Sequence, residues 1–270
     1  MEWMLGLIVN LLGNTPEGFS PAAYGFAQNI GTQLPPFAMY IMVLLWGIDF
    51  INSTLSFSDK TMEIVLRHVI MLGLGVTFTN AAFFLVMGLF NTFNGWFTFT
   101  GDLAANIDFA TMTEQTRIMI AGTPGIGGAS GLGETQSMIM FVFLIFTILS
   151  FFGILLGMLL VPISIFVEIY IYAAFSPIPI ATLFTGRKEV GIAFIKLVIS
   201  VSLRGAVVLF GVQLAIHIMA MDIFTANVGS IHGFWAFLTP VITISVSLLI
   251  LQKCVKGAES FAKSIVGLGA

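Results

Sequence analysis

Residues 163–184 read ISIFVEIYIYAAFSPIPIATLF, and how this stretch sits in a bilayer decides the fold. It is long enough to cross, since about 30 Å of hydrocarbon takes roughly 20 residues. Glu168 interrupts it, however, and Pro177-Ile178-Pro179 removes two backbone N–H donors from its second half. Around it lie five uninterrupted apolar stretches, residues 35–55, 69–90, 138–161, 197–217 and 233–252, each near one spanning length. Charge chooses between the two arrangements, because Lys and Arg of short loops collect on the cytoplasmic side. If 163–184 does not cross, Lys60, Arg67, Arg187, Lys188, Lys253, Lys256 and Lys263 fall inside and Arg117 alone falls outside. If it crosses, Arg187, Lys188 and the three C-terminal lysines move outside. The sequence therefore predicts an all-α polytopic membrane bundle of about five transmembrane helices, with one broken or re-entrant helix over 163–184. Broken backbone at that depth is tolerated only where protein or water covers its freed polar groups. The N-terminus is expected outside and the C-terminus in the cytoplasm, in the cell (inner or plasma) membrane.

Composition agrees. Of 270 residues 58% are hydrophobic and 9% charged, with 27 phenylalanines, more apolar surface than one soluble core of this size can hide. A net charge of −3 with ten Lys and Arg excludes a basic surface on which a soluble protein would wrap duplex nucleic acid. The lone Cys254 excludes an intramolecular disulfide, and no cofactor is expected. The three histidines, His68, His217 and His232, have no metal-ligand spacing.

Three regions follow. Residues 1–33 form an N-terminal interfacial helix and an outside segment, the connection over 15–33 carrying Pro16, Pro21 and Gly31; Glu2 stands where a secretory signal has a basic residue. Residues 34–252 form the transmembrane domain, with a long outside loop over 91–137. That loop opens on Trp96, Phe97 and Phe99, at aromatic-belt depth. A short helix is expected near 114–120, and the loop closes on a flexible run containing Gly122, Gly125, Gly127, Gly128, Gly131 and Gly133. Residues 253–270 form a cytoplasmic amphipathic basic tail. There Val255, Ala258, Phe261, Ala262, Ile265 and Val266 share one helical face, and the opposite face carries Lys253, Lys256 and Lys263, which contact membrane lipid.

Polar residues within the spans mark the candidate site. Lys196, Ser200 and Arg204 follow one another at i, i+4 and i+8, on a stripe with the small residues Ala193, Gly211 and Ala215. Lys196 can snorkel to the interface, whereas Arg204 lies two turns deeper and needs a partner. Glu168 is the natural one. Two readings stand side by side: a polar seam lining a substrate path, or an ion pair locking two helices. Asn80 and Asp49 are expected to be satisfied inside the bundle. Gly73, Thr77 and Ala81 on one helix, and the GxxxG of Gly153 and Gly157 on another, are small-residue faces for helix packing, within the chain or between copies.

At the break the sequence Ala174, Pro177, Ile178, Pro179, Ile180, Ala181, Phe184 resembles the Ala-x-Pro-Ile-x-Ile-Ala-x-x-Phe signature of the TrbL-type family, with one residue more between Ala174 and Pro177. These are polytopic inner-membrane subunits of type IV secretion and conjugation machines. The layout, with five spans, a long central outside loop and a basic inside C-terminus, is similar to a compact member of that family. The resemblance implies a non-enzymatic channel or scaffold subunit, assembled as a homo-oligomer with other secretion-system subunits, past which single-stranded DNA with its attached protein moves. Two other classes compete. A secondary transporter also uses broken helices with intramembrane charge. An intramembrane serine protease is suggested by the GxSG form of Gly128-Ala129-Ser130-Gly131, with a histidine such as His217 as base.

Overall fold

The computed structural model describes residues 11, 13–56, 61–104, 134–219, 249–250, 252–253, 257–258 and 260–267. Its elements are all helices: α1 Pro16–Phe19, α2 Pro21–Gln33, α3 Pro35–Ser56, α4 Thr61–Ala104, α5 Glu134–Phe175, α6 Pro177–Thr182 and α7 Lys188–Met219. Three helical segments among the described residues are long and apolar enough to cross a membrane: Pro21–Leu55, Met62–Gly95 and Lys188–Val208. The chain forms two compact units. One comprises Met1–Leu12, Phe97–Ile163 and Val207–Ala258; the other comprises Gly13–Trp96, Ser164–Ala206 and Glu259–Ala270 and contains every contact discussed below.

The N-terminal connection is helical. Prolines open α1 and α2, where a missing N–H costs nothing, and hydroxyls cap both starts: Thr15 Oγ1 accepts from Gly18 N at 3.1 Å and Ser20 Oγ from Ala23 N at 3.3 Å. Gly31 of α2 lies so close to α4 that a Cβ there would stand 2.7 Å from Phe83 Cδ2. The α1 end is pinned by aromatic packing of Phe19 on Phe166, with centroids 4.2 Å apart, and by the Tyr170 hydroxyl, which donates to the Pro16 carbonyl at 2.5 Å. Tyr170 is buried. Tyr170→Phe is expected to cost about 1 kcal/mol and to speed amide hydrogen exchange at Gly18 and Phe19; exchange as slow as in the parent chain would remove this role for the hydroxyl.

The stretch 163–184 is not a separate element. Residues 163–175 belong to the same helix, α5, as Pro162, and Glu168 does not interrupt them. The break comes at Ser176, where Pro177 begins the short α6. Nor does the stretch double back. Phe166 packs on Phe90 of α4, Phe184 packs on Phe78, and Gly186 N–H donates to Asp49 of α3, so residues 166–186 run antiparallel to α4. A re-entrant loop would have both ends at one level. The first half of α7 then returns, with Phe194 against Tyr172 and Arg204 against Glu168. Arg67 and Lys188, which the charge count placed on one side, line one cavity.

This unit packs tightly at its centre. Ala38, Met42 and Ala181 form a buried cluster with Leu72, Val76 and Ile178 around it, and Phe83, Phe166, Ile165 and Ile169 are fully buried. Outward lie Leu44, Ile48, Ile51 and Leu55 of α3 and Leu66, Val69 and Ile70 of α4, all exposed, as a lipid-facing surface would require. α4 extends past the predicted span end to Ala104, so the first part of the loop assigned to 91–137 is helical. Asn94 there donates to the Asn14 carbonyl at 2.7 Å.

Candidate functional site

The predicted partners meet. Arg204 Nη2 lies 2.7 Å from Glu168 Oε1, with the arginine side chain 8% and the glutamate side chain 33% exposed. α7 sets the geometry: Lys196, Ser200 and Arg204 are two turns of one helix apart, and the antiparallel α5 offers Glu168 at the same level. Ser200 is buried beside the pair, while Lys196 and Ala193 are exposed. The C-terminal helix over 260–265 ends at Gly267, whose positive φ of 72° makes it a left-handed cap. A Cβ on Gly267 would come within 4.0 Å of Lys196 Nζ. The tail's faces differ from expectation. Ala258 and Ala262 are buried, but Phe261 and Ile265 are exposed, so the apolar stripe splits into an inner small-residue face and an outer large-residue face. Lys253 and Lys263 are exposed, and the Lys256 side chain lies outside the described residues.

The signature residues build the break below this pair. Pro177 has no N–H for the Ala173 carbonyl, and Ser176 serves that carbonyl instead through its Oγ at 2.7 Å and its N at 3.3 Å. Thr182 Oγ1 donates to the Pro179 carbonyl at 2.7 Å and Thr185 Oγ1 to the Thr182 carbonyl at 2.9 Å. Three hydroxyls thus bond carbonyls of the irregular backbone from within, as such backbone requires at membrane depth. Ala174, Pro177, Ile180 and Ala181 are buried, Ile178 packs beside the Ala38 cluster, and Phe184 closes over Gly75 and Phe78.

Below the break the structure brings together residues that the sequence reading left apart. A half-open cavity of about 420 Å³ is lined by Trp46, Asp49, Arg67, His68, Gly186 and Lys188, with Asn52, Ser53 and Thr185 adding polar atoms. Trp46 Nε1 donates to the His68 carbonyl at 2.9 Å, its ring stacks on Phe50, and His68 Nδ1 lies 2.8 Å from the Ile64 carbonyl. Asp49 is satisfied by the Gly186 N–H at this cavity, not by a group within the bundle's centre. The signal was present in the spacing of Trp46, Asp49 and Ser53, which puts three polar groups on one face at the end of an otherwise apolar helix. What the sequence did not reveal was that the turn at 185–187 folds back to meet it.

The small-residue faces divide. On α4 the packing within the chain uses Gly75, Thr79 and Phe83, whereas Gly73 and Thr77 are exposed and a Cβ on Gly73 meets nothing within 4 Å; Ala81 is half-buried. Asn80, expected inside, also faces outward and donates to the Val76 carbonyl of its own helix at 3.0 Å. Gly153 and Gly157 likewise have nothing within 4 Å of an added Cβ. Glycines 122, 125, 127, 128, 131 and 133, Ser130, the helix expected at 114–120 and most of the predicted span 233–252 lie outside the described residues. Among the described residues no group of three His, Cys, Asp or Glu side chains is placed to hold a metal ion. Compared with protein families, with curated proteins and with solved structures, the chain shows no match.

Proposed function

We propose that the chain is a membrane-channel or scaffold subunit of a conjugative type IV secretion system, without catalytic activity of its own. In this reading it sits in the cell membrane as a homo-oligomer, N-terminus outside and C-terminus in the cytoplasm. Other secretion-system subunits surround it, and single-stranded DNA with attached protein passes it transiently. The observation that carries the reading is where the family-like residues fall. Ala174, Pro177, Ile180 and Ala181 are buried in a break whose carbonyls are satisfied by Ser176, Thr182 and Thr185. Such a signature maintains a shape, as a scaffold needs, and offers no reacting group to a substrate. The outward stripe of Gly73, Thr77 and Asn80 supports self-association. Small residues let helices approach closely, and an amide facing lipid gains by finding a partner across an interface.

The test is the mass of the lipid-nanodisc particle together with the frequency of DNA transfer in a strain lacking the chain. The parent is expected as a ring of several copies that restores transfer. Gly73→Ile combined with Thr77→Ile is expected to release single copies and to cut transfer at least tenfold. Its helix content should hold, since a Cβ on Gly73 meets nothing within 4 Å and Thr77 is exposed. A parent that is monomeric and does not restore transfer overturns the reading. It would favour the second one, a secondary transporter, which draws on the break beside the Glu168–Arg204 pair.

A further inference from the structure

We propose that the cavity at the Trp46 end of the bundle binds a phosphate group presented by the headgroup of an anionic membrane lipid. Two cations from different helices, Arg67 of α4 and Lys188 of α7, line it, and neither has an ion-pair partner among the described residues. The carboxylate in the same wall, Asp49, is engaged by the Gly186 N–H, so the lining carries two positive charges against one negative. Glu63 and Glu189 stand nearby in sequence but do not line the cavity. Lys188 is also the first residue of a 32-residue helix, so the positive end of that helix dipole adds to the field.

Position favours a lipid over a soluble phosphate. From His68 at this cavity to Phe90 near the far end of the unit, α4 rises about 33 Å at 1.5 Å per residue, close to the roughly 30 Å of a hydrocarbon core. The cavity therefore sits at headgroup level. Ile48 and Ile51 of α3 and Val69 and Ile70 of α4 are exposed beside it, each by more than half, and offer acyl chains an apolar track below the cations. Basic pockets between helices at this level bind acidic headgroups by this combination of charge and apolar flank. The proposal is independent of the secretion reading.

The full chain in detergent micelles is titrated with phosphatidylglycerol, with phosphatidylcholine of the same acyl chains, or with inorganic phosphate, and the melting temperature is followed. Phosphatidylglycerol is expected to raise it saturably and phosphatidylcholine, whose phosphate is neutralised by choline, to leave it unchanged. Arg67→Gln with Lys188→Gln should move the phosphatidylglycerol midpoint about 30-fold higher, each cation giving about fivefold, while Arg67→Lys stays near the parent. Arg187→Gln with Lys253→Gln removes the same charge from exposed positions outside the cavity and should leave the midpoint within about twofold. Equal shifts in both double variants, or a parent that responds alike to both lipids, overturn the proposal. Inorganic phosphate acting as strongly as the lipid, and losing its effect in the Arg67/Lys188 variant, overturns the lipid source and assigns the cavity to a soluble phosphate ester.

Discussion

Glu168→Leu is expected to destabilise the chain by about 3 to 5 kcal/mol, because it leaves a buried guanidinium without its carboxylate. Arg204 is only 8% exposed in its side chain and lies 2.7 Å from Glu168, and arginine has no neutral form to retreat to at any accessible pH. Arg204→Leu should cost less. The carboxylate left behind is the less buried partner, its side chain being 33% exposed against 8% for Arg204. The double Leu chain is expected to recover most of the loss, since replacing both members of a buried pair with apolar groups is often neutral. Unfolding midpoints of the four chains in detergent close a double-mutant cycle. A coupling energy near zero would refute the lock that this geometry describes. Under the proposed secretion role the same cycle separates the two readings of the seam: a double Leu chain that is stable and supports DNA transfer marks a structural lock, and one that is stable but inactive marks a path lined by charge.

The pairing of Glu168 with Arg204 was legible in the sequence because it follows from two facts independent of topology: a charge two turns inside a span needs a partner, and one acidic residue lay in the next apolar segment. Three of the spans, those over 35–55, 69–90 and 197–217, were legible for the same reason, since length and hydropathy mark them one at a time. The course of 163–184 was not. Prolines at 177 and 179 announce a break, but whether its irregular carbonyls find donors depends on Ser176, Thr182 and Thr185 turning back on their own segment, and that lets residues 166–186 run on antiparallel to α4 where a broken or re-entrant helix was expected. Asn80 was misjudged from a rule that polar groups in spans face inward. An amide can instead bond its own helix, here to Val76, and remain on the outside.

Gly191→Ala is the second large effect expected, and it tests the antiparallel pass directly. Gly191 is where α7 meets the broken segment: a Cβ there would stand 2.6 Å from Leu183 Cδ2 and 2.7 Å from the Pro179 carbonyl oxygen. The leucine can swing aside, but the carbonyl cannot. It is backbone, it follows a proline of fixed φ, and it already accepts from Thr182 Oγ1 at 2.7 Å. Alanine is the better helix former by about 1 kcal/mol, so a Gly191 facing open space would gain from the change. With α6 pressed against it, overpacking of about 1 to 3 kcal/mol or more exceeds that gain, and the chain should be destabilised. Leu183→Ala in the same chain should relieve only part of the loss, because the contact with Pro179 remains. Gly73→Ala is the matched control, at a glycine whose added Cβ meets nothing within 4 Å, and it should leave the stability of a single copy unchanged or slightly raised. Thermal unfolding of the three chains against the parent reads all of this. If Gly191→Ala is as stable as Gly73→Ala, α6 does not lie on α7, and the run from Phe166 to Gly186 beside α4 loses its support on that side.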